Sequence, residues 1–117
     1  MKVNMSKLIE NPNARQRVLL KLIEAKTKGM AYFAHRERIP MGWVPLHILC
    51  QPGVGGLAGD VRLRELRRDP YNLPILWQFF KTSDGKSTNT TIYFLMCNPD
   101  KIDIETCSLT ADLQEAI

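Results

Sequence analysis

The sequence predicts an α+β, mainly α domain of three helices followed by a C-terminal β-hairpin and an acidic tail. Three observations predict it. Apolar residues recur at helical spacing after Asn13, a glycine-heavy turn precedes a basic helix, and two aromatic, β-branched runs flank a polar loop. A chain of 117 residues suits one core. Its 44% hydrophobic and 24% charged residues exclude a disordered, fibrous or disulfide-scaffold chain.

The first dozen residues are polar and are expected to be loosely held. Asn13 with Gln16 forms a capping-box pattern, and Val18, Leu19, Leu22 and Ile23 mark the buried stripe of a first helix over 13–28 that ends at Gly29. Residues 29–42 are less legible. Ala31 to Ala34 either extend that helix or form a buried connector, and Pro40 with Gly42 breaks the chain. Trp43-Val44 suits a very short strand. Pro45 then opens a short second helix over 45–51, with Leu46, Leu49 and Cys50 on one face, stopped by Pro52-Gly53. After the turn Gly53 to Gly59, Asp60 is placed to cap a third helix that runs to about Asp69. The runs 74–80 and 90–96 are the strands of a hairpin with a polar tip at 83–87.

That order of elements is the winged helix–turn–helix arrangement over residues 13–97, with the hairpin as wing and 98–117 as tail. The run Val54-Gly55-Gly56-Leu57 to Leu63-Arg64-Glu65-Leu66-Arg67 resembles small bacterial and phage winged-helix proteins. There a Gly-Gly turn leads into a Leu-Arg-Glu-Leu-Arg recognition helix, and a strand follows. The resemblance implies a DNA-binding regulator or accessory factor. The sequence departs from that pattern at Val44-Pro45-Leu46, where a Ser or Thr cap usually opens the second helix.

Charge points to the same chemistry. Residues 1–97 carry 15 Lys and Arg against 7 Asp and Glu, whereas 98–117 carry one Lys and five acids. A basic body attracts polyanions and an acidic tail does not. On the third helix Leu63 and Leu66 face inward, Arg64 and Arg68 project one turn apart on the opposite side, and Arg62 and Arg67 lie on the flanks. Such a helix in a major groove meets phosphate walls, and arginine also offers a fork for guanine. Lys81 and Lys86 on the hairpin, and Arg15 or Arg17 on the first helix, are the further candidates for backbone contacts. His47 is either a phosphate contact or an incidental surface histidine.

Other chemistries find little support. Cys50, Cys97 and Cys107 have no Cys-x-x-Cys spacing, which predicts reduced thiols and a cytoplasmic location; His47 with Cys50 lacks a second pair for a metal. Gly53-x-Gly55-x-x-Ala58 imitates a dinucleotide-binding turn, but Pro45 and the hairpin leave no room for the βαβ unit. No nucleophile–base set is visible, so the chain is expected to be no enzyme, with no cofactor, no small-molecule substrate and no membrane span. Double-stranded DNA is the expected partner, with a homodimer or a protein partner also allowed. In the tail, Leu109, Leu113 and Ala116 or Ile117 suit a weak docking or dimerisation helix. The competing reading is a protein-interaction module of the same fold, which would use Trp43, Trp77, Tyr32 and Phe33 as an exposed patch.

Overall fold

A computed structural model describes residues 11–110. Helix α1 (Ala14–Lys28) begins with the capping box: the Asn13 side chain accepts from the Gln16 N–H, and the Gln16 side chain accepts from the Asn13 N–H. It ends at Gly29 in the left-handed region (φ 63), where a Cβ-bearing residue pays a steric cost. A two-residue ribbon follows, β1 (Phe33–Ala34) against β2 (Glu37–Arg38). Strand β3 (Val44–Pro45) leads straight into α2 (Leu46–Leu49), then a single 3₁₀ turn (Gly56–Ala58) and α3 (Gly59–Arg67). Strands β4 (Ile75–Lys81) and β5 (Ser87–Leu95) form the main hairpin, and a second small ribbon pairs β6 (Ile102–Asp103) with β7 (Ser108–Leu109). In the three-stranded antiparallel sheet, β5 is central, with β3 on one side and β4 on the other.

The mainly α, winged helix–turn–helix expectation is corrected by this arrangement. Of the described residues about 34% are helical and 26% lie in strands, so the fold is α+β without a helical majority and has no clear winged-helix arrangement. The physical reasons are local. Pro45 pairs with Ile92 in the sheet instead of opening a helix over 45–51, and α2, with no side-chain cap, lasts four residues. Asp60 is not a cap either; it lies in the first turn of α3, which follows Ala58 and ends at Arg67. Residues 33–38 turn back as a ribbon through His35 and Arg36, both at positive φ (52 and 65). The hairpin tip is not a free flap, because the Ser83 N–H (2.7 Å) and hydroxyl (3.2 Å) donate to the Glu37 carboxylate of that ribbon.

Side-chain alternation along β5 divides the core in two. Leu95 faces the helices, joining Val18, Leu19 and Leu22 of α1, Leu49 of α2, and Leu63 and Leu66 of α3. Ile92 points the other way, into a smaller cluster with Ile39 and Phe80, edged by Trp43 and Tyr32. The acidic segment 98–110, expected as a tail, contributes Ile102, Ile104 and Cys107 to the larger cluster; its charged residues Asp100, Asp103 and Glu105 stay exposed. Residues 111–117, where Leu113, Ala116 and Ile117 suggest a helix, lie outside the described residues.

The helices meet through glycine. A Cβ at Gly55 would lie 2.7 Å from the Leu49 carbonyl oxygen and 2.6 Å from the Gly59 Cα, and one at Gly59 would collide with the same Leu49 carbonyl. Neither obstruction is the end of a flexible side chain, so a substituent there forces backbone to move. We expect Gly59→Ala to lower stability by about 1–3 kcal/mol or more, read from the urea midpoint, although alanine favours helix by propensity. Ile104→Ala should cost roughly 2–4 kcal/mol in the same measurement. A cost near zero would mean that 98–110 does not belong to the core.

Candidate nucleic-acid interface

Arginines that look alike in sequence have different environments in the fold. Arg15 on α1 reaches across to α3, where its Nε (3.1 Å) and Nη2 (2.9 Å) donate to Glu65 Oε1, and its guanidinium lies 4.9 Å from the centre of the Tyr71 ring. Arg62 Nη2 approaches the other Glu65 oxygen at 3.1 Å, so one carboxylate serves two arginines. Arg62 Nε is buried without a partner in the described residues. Arg17 donates to the carbonyls of Val54 and Pro12, each at 2.7 Å, and so ties α1 to the start of the glycine turn. These three cations, expected as candidates for phosphate contacts, are engaged within the fold.

Three others face solvent. Arg64 is 63% exposed along its side chain and meets Asp60 at 3.6 Å, a loose surface pair one helical turn away. Arg68 caps the C-terminal end of α3 and is exposed, with no side-chain partner among the described residues. Arg67 is exposed too, but its Nε donates to the Ile75 carbonyl at 3.1 Å, which joins the end of α3 to the start of β4. Leu63 and Leu66, fully buried, fix the rotation of the helix that sends Arg64 outward. Leu57, entirely exposed, stands at the turn before α3. Burial raises the Tyr93 hydroxyl above its ordinary range; nearby Asp60 raises it further, while Arg67 and Arg64 pull it down. Tyr93 lies on β5, directly opposite Trp77 of β4.

On the hairpin, Lys81 and Lys86 are exposed, but their setting is mixed. Glu37 sits on the tip, and Asp84 accepts from the Thr82 hydroxyl and from the Lys86 N–H, which holds its carboxyl below the usual range and keeps it charged. The tip is thus closer to neutral than its two lysines suggest. Arg36 and Arg38, on the ribbon fastened to that tip, are exposed cations that sequence reasoning left out. Their signal was a charged connector with no readable periodicity, and the ribbon's contacts with Ser83 and Thr90 join them to the hairpin. His35 bonds Thr90 at 2.9 Å, and His47 is exposed on α2.

The four aromatics weighed for a protein-binding patch differ in exposure, and two of them, Tyr32 and Trp43, edge the Ile39–Phe80–Ile92 cluster. Trp77 and Phe33 are exposed, whereas Tyr32 is half-buried and Trp43 stacks on Phe94 at 5.3 Å. Phe79, not among them, packs edge-on to Trp77 at 5.5 Å and is equally exposed. Among the described residues no group of three or more His, Cys, Asp or Glu is arranged to hold a metal, and burial raises the Cys97 and Cys107 thiols. No helix in the described residues is long and apolar enough to cross a membrane. No protein-family profile matches this chain, and no curated protein or solved structure is detectably similar to it.

The two classes of arginine separate by experiment. Arg15→Ala should lower stability by about 1–3 kcal/mol, since it strips Glu65 of a partly buried partner, whereas Arg68→Ala should stay within about 0.5 kcal/mol. Thermal or urea melts of the two variants check this.

Proposed function

We propose that this chain binds duplex DNA through the outward face of α3, with Arg64, Arg67 and Arg68 as its cations and Lys81 and Lys86 of the hairpin in support. The observation that carries this reading is the division within α3. Two leucines anchor the helix to the core, while Arg64 on the helix and Arg68, the extended residue that closes it, are both exposed, and no buried carboxylate among the described residues neutralises them. A helix is the right width for a major groove, and phosphates line its walls. The flexible arm of arginine reaches either a phosphate or the O6 and N7 of guanine.

Asp60 does not oppose this reading. Its pair with Arg64 is long and solvated, so exchanging the carboxylate for a phosphate costs little. Glu65, the other acid of α3, is occupied by Arg15 and Arg62 and adds no free negative charge to the outward face. The engaged arginines therefore help indirectly, because they pair with the one α3 carboxylate that lies between α1 and α3.

The salt dependence of affinity tests the proposal. Each neutralised phosphate contributes about −0.9 to the slope of log K against log salt. Replacing Arg64 and Arg68 together by Ala should make that slope shallower by roughly 2 and leave folding intact. Fluorescence anisotropy with a labelled duplex at several salt concentrations measures it. An unchanged slope removes α3 from the interface.

A further inference from the structure

Among the described residues strand β4 has one neighbour, β5, and its other edge is open. The direction of its backbone groups follows from the register. Pro74 and Met96 are directly opposite and the Met96 N–H donates to the Pro74 carbonyl, so in an antiparallel ladder the even residues Leu76 and Gln78 bond to β5. The odd residues Trp77 and Phe79 therefore turn their N–H and C=O groups to the open edge. Ile75 agrees with this alternation, since its N–H goes to Leu73 and its carbonyl accepts from Arg67, both away from β5. No hydrogen bond reaches the outward groups of Trp77 or Phe79 from the described residues. Both side chains are nearly half exposed, at 47% and 46%. A cleft of about 450 Å³ opens at Phe79 and Lys81, lined also by Pro40, Gln78, Phe80 and Ile92.

We infer that this edge accepts an extended acidic peptide as an additional antiparallel strand. The main-chain groups of Trp77 and Phe79 supply the ladder, and their rings cover the peptide's apolar side chains. Charge selects the peptide. Arg67 stands at the Ile75 end and Lys81 at the other, roughly 20 Å apart at strand spacing, and β4 has no acidic side chain between them. A peptide with carboxylates about six residues apart meets both cations. A second copy of this chain fits worse. Pairing β4 with itself about Gln78 places Lys81 opposite Ile75 of the other copy, beside Arg67, and so brings like charges together. Nucleic acid has no ladder of amides to offer these groups. This inference uses a different kind of contact from the α3 reading, main-chain pairing along β4, and shares with it only the cations Arg67 and Lys81.

The test is amide hydrogen exchange on the full chain, with the synthetic peptide acetyl-Glu-Thr-Ile-Thr-Val-Thr-Glu-amide as probe, whose Ile and Val fall opposite Phe79 and Trp77 when its carboxylates meet the two cations. Exchange at Trp77 and Phe79 should slow by about tenfold or more on saturation, with little effect from the same peptide carrying Lys for Glu. Phe79→Pro removes an outward N–H without touching the β4–β5 ladder and should abolish the protection. Lys81→Glu, which alters no backbone group, should weaken peptide binding about tenfold if the proline variant proves unfolded. Equal protection by both peptides removes the acidic preference and overturns the assignment. So does protection that appears without peptide and rises with protein concentration, which marks a second copy. Protection by duplex DNA alone, or by none of these probes, also refutes it.

Discussion

The contact on which the arrangement depends is the approach of the Leu49 carbonyl to Gly55 and Gly59. Only residues without a Cβ allow the end of α2 and the start of α3 to lie this close. That closeness lets Leu49, Leu63 and Leu66 share one core with Val18, Leu19 and Leu22, and it sets the angle at which α3 leaves the turn. Arg17 holds the same turn from the other side through the Val54 carbonyl. The exposed cations of α3 thus owe their position to a packing constraint several residues upstream.

The basic character of the chain is divided between two tasks. Arg15, Arg17 and Lys26 on α1 and Arg62 on α3 work inside the fold, bonding carbonyls and a shared carboxylate; Lys26 also donates to the Leu95 carbonyl and lies 4.3 Å from the Phe94 ring centre. Such groups keep part of their hydration and gain hydrogen bonds, so they act as cross-braces between elements. Arg64, Arg67 and Arg68 remain turned to solvent. Net charge alone does not distinguish these tasks, because it counts a cation bonded to a carbonyl the same as a free one.

The sheet separates two surfaces in a similar way. Its central strand uses one set of side chains for the helical core and the alternate set for the Ile39–Phe80–Ile92 cluster, so neither face is free along its whole length. Among the described residues, the edge of β4 away from β5 and the outward side of α3 stay exposed. They meet at Arg67, whose side chain bonds the β4 backbone while its exposed guanidinium borders α3. A ligand at either surface meets that residue.

The local parts of the fold were legible in the sequence. The Asn13–Gln16 capping box, the stripe of α1, the glycine turn, the α3 leucines and the two hairpin runs each rest on contacts within a few residues, and period and turn chemistry report such contacts directly. Tertiary structure alone decided the rest. Pro45 went to the sheet because Ile92 was there to pair with, and residues 33–38 formed a ribbon whose Glu37 holds the hairpin tip. The acidic segment 98–110 entered the core because Ile102, Ile104 and Cys107 found apolar partners far away in sequence. The same reason governs the candidate site. Helical spacing places an arginine on a face, but whether it meets solvent or a distant Glu65 depends on what the fold brings opposite it.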